Sequence, residues 1–435
     1  MNILVVETVW MGKQKYHFFD IWFLTMFSIL PTLSARQLAA LTPKKHTVTV
    51  LNERYDEVDF HQHYDLVLID FVTSTAPHAY ELADGFRSIG IPVVLSGMHP
   101  SLMPHEAKQH ADSVLIGPAE TVWLELLSDA EQHRLQPFYY GTYFDRELYI
   151  PPTQVQLPGF VLTGAVQATR GCPYKCWFCP EASIPGSSQL YFRPVEEVVR
   201  EIQKLPQKTF IFYDASLTIN PGYTKELFRQ MKGLRKHFFC NGNVDVLAQD
   251  EDLVRLSKEA GCISWLVGFE SVDQRTLDVM KKKTNTVSEY GLAVSNIHKH
   301  HMAVVGCFMV GFDTDTPQIF QETLQKIYQL KIDVVDFCIL TPFPGTPLFA
   351  ELEREGRILT KDWALYTLKN VVFQPKNMSA DDLIRGVQLM YADFYSIKNT
   401  IRRFMHAFQL GIYPFVLVVS RNILAVMNSR RIRRQ

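Results

Sequence analysis

The first third of the chain alternates between short apolar runs and longer stretches whose apolar residues recur at helical spacing. Short continuous apolar runs predict buried strands, and apolar positions three or four residues apart predict helices. Strands that alternate with helices indicate a parallel sheet covered on both faces. We therefore predict a doubly wound α/β domain over residues 1–134. Its predicted strands are 3–6, 47–51, 65–70, 92–95 and 113–116, and its predicted helices are 28–41 and 80–89.

A second alternating series fills the middle of the chain. It follows residues 135–158, where several prolines and a mixture of polar and aromatic residues indicate a linker. Six strands separated by helices predict a partial (β/α)6 barrel of the TIM type over residues 159–358, with its chemistry at the carboxyl ends of the strands. The predicted strands are 162–169, 209–213, 238–241, 264–268, 303–310 and 334–340. The predicted helices are 195–205, 222–234, 250–260, 275–283, 288–300 and 317–330.

Residues 359–435 form a third segment, which we predict to be a cap on the barrel followed by a helical tail. Residues 413–427 are apolar but are interrupted by Arg421 and Asn422, and the stretch is too short to span a bilayer comfortably. A basic cluster follows it. Two interpretations are open: a helix docked on the barrel with a solvated basic end, or peripheral contact of this tail with an anionic membrane surface.

Composition narrows the class of protein. Of the 435 residues, 47% are hydrophobic and 20% are charged, which is typical of a globular protein with large cores. The formal net charge of −1 gives no reason to expect a nucleic-acid partner. The amino terminus has a buried-strand pattern without a basic region before it, so we expect no signal peptide.

Seven cysteines are present, and three of them lie in one motif. The other four, Cys240, Cys262, Cys307 and Cys338, lie in apolar runs and form no disulfide pattern. We therefore expect a reducing, cytoplasmic location, at the inner membrane surface if the tail contacts lipid.

The three motif cysteines lie in a loop directly after the first predicted barrel strand. Cys172, Cys176 and Cys179 follow a C-x3-C-x2-C spacing, which supplies three thiolates from one short segment. A cubane iron–sulfur cluster normally takes four thiolates, so three would leave one iron with an open position. A closed zinc site is the alternative. It would need a fourth Cys or His, and the next twenty residues contain neither.

The whole loop, with Gly171 before its first cysteine and Phe178 before its last, resembles the signature of the radical S-adenosylmethionine (radical SAM) enzymes. The resemblance implies a 4Fe–4S cluster on the three cysteines, with S-adenosylmethionine bound to the open iron. It also implies reductive cleavage to a 5′-deoxyadenosyl radical and an electron donor such as flavodoxin or ferredoxin. By the same resemblance, Phe178 lies near the adenine.

Other strand ends in the predicted barrel resemble cofactor-binding segments of the same family. Asp214 ends the second strand and corresponds to a segment near the methionine end of S-adenosylmethionine, with a helix N-cap role for Asp214 or Ser216 as the alternative. Glu270 and Ser271 end the fourth strand, where they would bond the ammonium or the ribose; a surface ion pair is the alternative for Glu270. The fifth strand resembles the adenine-stacking segment and contributes Gly306, Phe308 and Gly311.

The amino-terminal domain resembles the cobalamin-binding domain that precedes the barrel in one class of radical SAM enzymes. Its loops after strand ends contribute the candidate cobalamin contacts Thr75, Gly97, His99 and Gly117. The Asp-x-His-x-x-Gly cobalamin signature is missing, and the corresponding loop reads Thr8-Val-Trp-Met-Gly12. Two alternatives stay open: a domain that binds no cobalamin, and a His99 that only bonds nearby backbone.

These features together predict a radical SAM enzyme, with a cobalamin-dependent methyltransferase acting on an unactivated carbon as the leading version. One alternative is a radical cyclase, oxidoreductase or rearrangement enzyme without methyl transfer. Another is a non-catalytic iron–sulfur or zinc protein. The sequence assigns no catalytic side chain, and it identifies the substrate only as a small or lipid-like molecule.

Overall fold

The computed structural model describes residues 1–8, 32–54, 56–142 and 161–432. These residues form two six-stranded sheets and one small hairpin, and every strand pair within the two large sheets is parallel. The predicted α/β class, with a doubly wound sheet, a partial barrel and a helical tail, is confirmed. The first part of the predicted helix 28–41 and the loop after the first strand lie outside the described residues.

The amino-terminal sheet has the strand order β2-β1-β3-β4-β5-β6. Its strands are β1 (Asn2–Glu7), β2 (Thr47–Asn52), β3 (Leu66–Asp70), β4 (Val93–Ser96), β5 (Ser113–Ile116) and β6 (Phe138–Tyr140). Its helices are α1 (Ser34–Leu41), α2 (Ala76–Ser88), α3 (Met98–Leu102), α4 (Pro104–Ala107) and α5 (Trp123–Glu131). Strand β6 lies inside the segment predicted as a linker, because its three residues pair with β5.

Both faces of this sheet are buried. Val5 packs with Trp123 on the face covered by α1 and α5. Its neighbour Val6 packs with Phe86 on the face covered by α2. Successive side chains of a strand point to opposite faces, so an unbroken apolar run is needed to fill both cores.

The second sheet is the open barrel, with the strand order β14-β13-β12-β11-β10-β7. Its strands are β7 (Thr163–Val166), β10 (Thr209–Phe212), β11 (His237–Gly242), β12 (Cys262–Glu270), β13 (Ala303–Val310) and β14 (Val334–Ile339). A hairpin of β8 (Thr169–Arg170) and β9 (Tyr191–Phe192) brackets the cysteine loop. The accompanying helices are α6 (Val195–Lys204), α7 (Pro221–Met231), α8 (Val244–Gln249), α9 (Glu251–Ala260), α10 (Gln274–Val279), α11 (Tyr290–Lys299), α12 (Ile319–Leu330) and α13 (Pro347–Arg354).

Alternate residues of the barrel strands belong to two different cores. Val304 and Phe308 of β13 pack in the core shared with the surrounding helices. Ala303 and Val305 of the same strand face the concave inner side, where they pack against the tail. The inner side near the amino-terminal ends of the strands is therefore filled.

The tail consists of α14 (Ala380–Phe394), α15 (Ile397–Phe408) and α16 (Ile412–Ile432). Leu417 of α16 is buried against the inner side of β13 and β14, and Arg421 of α16 pairs with Asp336 of β14 at 2.9 Å. The apolar stretch 413–427 is therefore a docked helix over its described side chains. Among the helices of the described residues, none combines the length and the apolar character needed to cross a membrane.

Candidate active site

The cysteine loop begins directly after β8, and glycine fixes its start. Gly171 has φ +81°, and a Cβ atom there would lie 2.0 Å from the backbone oxygen of Gln189. The N–H of Cys172 donates to the Ser187 carbonyl at 2.7 Å. A side chain at position 171 would push the loop away from the 187–189 turn, so the glycine sets where the first cysteine lies.

The three motif cysteines are partly exposed, whereas Cys240 and Cys262 are buried. Burial raises the pKa of all three motif thiols, and a neighbouring motif cysteine raises each pKa further. The Lys282 ammonium opposes this effect at Cys172 and Cys176. Without a metal centre the loop therefore holds thiols, and loading it must release their protons.

The set of donors bears on which metal centre the loop could hold. A structural zinc site has four protein ligands. The loop supplies three thiolates, and the next twenty residues contain no further Cys or His. Three soft thiolate donors with one coordination position left open fit an iron–sulfur cubane.

Asp214 positions the chain that leads into the cysteine loop. Its carboxylate accepts a hydrogen bond from the N–H of Ala168 at 3.2 Å, and two from the N–H and hydroxyl of Thr169 at 2.5 and 2.6 Å. Only 1% of its surface is exposed, so it faces no open site, contrary to the predicted cofactor contact. The alternative was an N-cap role for Asp214 or Ser216, and it holds at Ser216, which caps the turn that follows, while Asn220 caps the next helix.

Glu270 ends β12 in a left-handed backbone conformation. Its φ is +61°, and the pairing of β12 with β13 shifts register between Gly268 and Glu270, as at a β-bulge. Its carboxylate lies 3.0 Å from Lys282 Nζ, and both side chains are mostly buried. Burial alone would lower the pKa of Lys282, but Glu270 and the sulfurs of Cys176 and Cys179 raise it overall. A charged ammonium therefore lies beside the cysteines.

Two side chains hold this bend in place. Asn285 donates a hydrogen bond to the Phe269 carbonyl at 2.9 Å. The Tyr290 hydroxyl lies 2.7 Å from the same carbonyl and 2.9 Å from that of Ser271. A non-glycine residue keeps a left-handed conformation where its surroundings over-determine it. The Ser271 hydroxyl accepts the N–H two residues further on at 3.1 Å, so it stabilises the turn.

Two predicted cofactor contacts on β13 point into the outer core. Phe308 is 1% exposed, and its ring stacks on that of Phe269 with 5.1 Å between the ring centroids. A Cβ atom at Gly306 would meet Phe308 at 3.0 Å and Ile332 at 3.2 Å. The space at Gly306 is therefore taken by core side chains, and the predicted approach of a ligand to these two positions is wrong for this face of the strand.

Gly311 and Asp315 shape the turn at the carboxyl end of β13. Gly311 has φ +107°, and its N–H donates to the Asp315 carboxylate at 2.8 Å. The N–H of Phe312 donates to the same oxygen at 3.0 Å. Burial raises the pKa of Asp315 to about 7 despite these bonds. The Phe312 ring lies 6.4 Å from that of Phe178, so this turn and the cysteine loop are neighbours.

Loops follow three neighbouring strand ends of the amino-terminal sheet. Gly97, after β4, has φ +108°, and a Cβ atom there would lie 2.4 Å from the Phe71 carbonyl. Gly117, after β5, has φ +81°. Thr75, after β3, is buried and donates its hydroxyl to the Val72 carbonyl at 3.1 Å. Because β3, β4 and β5 are adjacent, these loops form one edge of the sheet.

His99, which the sequence suggested as a cobalamin contact, is buried and bonded to other side chains of the protein. Its side chain is fully buried, and its two ring nitrogens lie 3.3 Å from the Thr73 hydroxyl and 3.3 Å from the Glu106 carboxylate. Trp363 donates its indole N–H to the same Glu106 oxygen at 2.8 Å. His99 therefore bonds nearby groups, as its alternative interpretation held, although these groups are side chains. The network ties the cap to the first domain.

An ion pair joins the two sheets beside the cysteine loop. Arg170, the residue before Gly171, pairs with Glu120, in the loop that begins at Gly117. The Arg170 guanidinium also donates to the Gln37 side chain at 2.8 Å. Burial lowers the pKa of Arg170 to about 10, which leaves it charged at neutral pH. The carboxyl ends of the two sheets therefore meet, with glycine loops on one side and cysteines on the other.

Sequence reasoning missed Lys282 and the partnership of Arg170 with Glu120. Lys282 is the middle residue of three consecutive lysines, and nothing in the sequence separates it from its neighbours. The position of Arg170 directly before the cysteine loop is the one feature of the sequence that could have suggested a role for it. Its partner could not be inferred, because Glu120 lies 50 residues earlier, in a loop of the amino-terminal domain.

Residues 166–327 match a protein-family model described as the radical SAM superfamily. Over 390 residues, the chain is 31% identical to bacteriochlorophyllide d C-12(1)-methyltransferase of Chlorobaculum tepidum, which covers 85% of this chain and 84% of that protein. Over 237 residues it is 30% identical to the anaerobic magnesium-protoporphyrin IX monomethyl ester cyclase of Cereibacter sphaeroides, covering 53% of this chain and 38% of that protein. The fold is shared with the radical S-adenosylmethionine methyltransferase TsrM from Kitasatospora setae, solved with cobalamin and a [4Fe-4S] cluster bound. The TM-score is 0.65 at 16% identity, over 81% of this chain and 78% of that one.

Proposed function

Because the chain belongs to the radical SAM superfamily, we propose that this enzyme is a cobalamin-dependent methyltransferase acting on an unactivated carbon of a small molecule. One observation carries the proposal: the carboxyl ends of two parallel sheets meet beside the cysteine loop, joined by Arg170 and Glu120. Ligands of such sheets bind outside the carboxyl ends of the strands, so two cofactors held there would face each other. The methyltransferase activity in the name of the bacteriochlorophyllide relative supports the same reaction.

In this proposal Cys172, Cys176 and Cys179 hold the 4Fe–4S cluster. The cluster supplies the electron that cleaves S-adenosylmethionine, and cobalamin carries the methyl group. Gly171 fixes where the first thiolate lies, and Asp214 fixes the chain just before it. The loop contributes three thiolates, which leaves one coordination position for the amino-acid end of S-adenosylmethionine.

We assign the amino-acid end of S-adenosylmethionine to Glu270 and Lys282. The Glu270 carboxylate accepts hydrogen bonds from the ammonium group of S-adenosylmethionine, and the Lys282 ammonium donates to the carboxylate group of the same molecule. Until the zwitterion binds, the two side chains neutralise each other at 3.0 Å. Binding therefore exchanges one buried ion pair for two, so neither charge is left without a partner. Phe178 and the Gly311 turn border the adenine, and Ser271 acts by holding the strand end.

The loops at Thr75, Gly97 and Gly117 are the proposed cobalamin contacts. Glycines with positive φ let backbone approach a large ligand where a side chain would block it. His99 contributes no cobalt ligand, because both of its ring nitrogens are engaged inside the protein. The Asp-x-His-x-x-Gly signature, which would supply a histidine to a bound cobalamin, is likewise missing from the sequence.

The proposal includes two partners. A low-potential electron donor of the flavodoxin or ferredoxin type reduces the cluster. The second partner is a membrane surface, which the tail contacts through the outer face of α15.

The test is anaerobic reconstitution with iron, sulfide and hydroxocobalamin, followed by gel filtration. We expect an iron–sulfur absorption band and a corrin band that both stay with the protein. With reductant and S-adenosylmethionine, 5′-deoxyadenosine and S-adenosylhomocysteine should form together, and the product should be heavier by one methylene. Cys176→Ala should lose nucleoside release and keep the corrin band. Cys338→Ala, outside the motif, is the matched control and should keep both. Full nucleoside release by Cys176→Ala contradicts the cysteine assignment.

A radical cyclisation or oxidation without methyl transfer is the second candidate, and the similarity to the ester cyclase favours it. It predicts 5′-deoxyadenosine without S-adenosylhomocysteine, and a product that carries no added methyl group. S-adenosylmethionine labelled with deuterium on its methyl group separates the two reactions, because only methyl transfer moves the label into the product.

A further inference from the structure

Helix α15 carries a stripe of large apolar side chains on its outer face. Ile397, Ile401, Met405 and Phe408 are 71%, 52%, 62% and 74% exposed. Their spacing of four, four and three residues places them on one side of the helix. Ile412, the first residue of α16, is also exposed, at 68%. A contiguous patch of this kind marks a surface that something covers.

The same segment carries an unusual charge. Residues 396–435 contain eight Lys or Arg and no Asp or Glu, a net charge of +8. The remaining 395 residues contain 36 basic and 45 acidic residues, a net charge of −9. Lys398 and Arg402 of this segment are exposed and flank the stripe. The net charge of the whole chain is close to zero because a strongly basic carboxyl-terminal segment offsets an acidic remainder. Such a basic segment is typical of a region that binds an anionic partner.

The stripe is presented by a helix that is fixed to the barrel. Ala407 and Leu410 are buried against Ile263 and Ala303, at the amino-terminal ends of the strands. His406 lies 3.1 Å from the buried carboxylate of Asp333. The opposite face of α15 is thus anchored, and the apolar stripe is a preformed surface.

We propose that the α15 stripe rests on the surface of a membrane that contains anionic lipid. The apolar side chains enter the boundary between headgroups and acyl chains, while Lys398 and Arg402 attract the anionic headgroups. A nucleic acid would account for the charge but not for a stripe of isoleucine, methionine and phenylalanine. The contact lies at the opposite end of the barrel strands from the cysteine loop. It therefore anchors the enzyme and leaves the carboxyl rim facing away from the bilayer.

Flotation of the full chain with lipid vesicles tests the proposal, and the test needs no catalytic activity. We expect binding to vesicles of phosphatidylglycerol and phosphatidylcholine, weak binding to phosphatidylcholine alone, and release by raised salt. The variant Met405→Ser/Phe408→Ser should reduce partitioning at least about tenfold, and Lys398→Glu/Arg402→Glu should do the same. The matched controls Ile89→Ser/Leu359→Ser, also exposed, and Lys44→Glu/Lys208→Glu should bind as the parent does.

Several outcomes would overturn the inference. One is absence of binding to the anionic vesicles, and another is binding that the stripe variant leaves unchanged while its melting temperature also stays the same. A third is a dimer by light scattering that Met405→Ser/Phe408→Ser converts to monomer, because the stripe would then be covered by a second copy. A fourth is a stripe-dependent mobility shift with single-stranded RNA but no vesicle binding.

Discussion

The ammonium of Lys282 lies 3.0 Å from the carboxylate of Glu270, at the strand end beside the cysteine loop. Both side chains are mostly shielded from water, so each charge depends on the other. A bound amino-acid zwitterion offers each of them a new partner of opposite sign. Under the proposed function, the pair is therefore a preformed receptor for the amino-acid end of S-adenosylmethionine.

Replacing Lys282 with methionine should weaken the binding of S-adenosylmethionine by about 10- to 100-fold, because a hydrogen bond to a charged group contributes about 1.5–3 kcal/mol. The measurement is equilibrium dialysis with cluster-loaded protein. The adjacent exposed lysine provides the control, Lys283→Met, which should bind normally. Equal affinities for the parent and Lys282→Met would show that this ammonium does not bind the ligand.

Asp214→Ala should lower both stability and iron content, although Asp214 touches no cysteine. The substitution leaves the N–H and hydroxyl of Thr169 and the N–H of Ala168 without their acceptor, at a cost of about 2–4 kcal/mol. Urea unfolding of the unloaded protein and iron per chain after reconstitution measure the two effects. Asp214→Asn keeps one acceptor oxygen and should lose less of each. A full complement of iron in Asp214→Ala would refute the positioning role.

The pKa of Asp315, raised by burial to about 7, predicts a pH dependence of stability. Between the ordinary carboxyl pKa of about 4 and this value, the folded protein holds a proton that the unfolded chain has lost. This contribution to stability is complete below about pH 4 and is lost as the pH rises through about 7. Asp315→Asn cannot titrate, so its free energy of unfolding should fall less between pH 5 and 8 than that of the parent. Parallel profiles for the two proteins would contradict the raised pKa.

Glu120→Gln should uncouple the two reactions that the proposed enzyme links. The substitution weakens the bond to Arg170 that joins the glycine loops to the cysteine loop, while every cysteine stays in place. Methylated product should fall at least about tenfold, since small displacements of reacting groups have effects of this size. Release of 5′-deoxyadenosine should change little. Glu125→Gln, exposed on α5, is the control. A proportional loss of nucleoside and product would assign Glu120 a general structural role.

The contrast between the cysteine loop and β13 shows what the sequence could predict. Three thiolates within eight residues are close in space whatever the fold, so the sequence alone predicts that they form one metal-binding loop. Residues 303–310 are apolar almost throughout, because both faces of β13 are buried. The pattern therefore locates the strand but does not say which residues face inward. Gly306 and Phe308 were assigned to the ligand for that reason, and they lie in the outer core.

Contacts between residues that are distant in the sequence could not be predicted, because they depend on tertiary structure. Glu270 pairs with Lys282 because a bulge and a residue in the left-handed conformation turn the end of β12. Neither feature has a recognisable pattern in the sequence. The apolar character of the tail was compatible with docking on the barrel and with contact with a membrane surface. That α16 would enter the concave side of the barrel depends on tertiary packing with β13 and β14.

The course of α16 across the concave side has a consequence for traffic through the enzyme. Leu417 and Val418 of α16 fill the concave side next to Ile263, Ala303 and Val334, at the amino-terminal ends of the strands. A ligand of the barrel therefore has to enter and leave at the carboxyl ends of the strands or through the gap between the edge strands β7 and β14. The rate at which a bulky product leaves should accordingly depend on these openings.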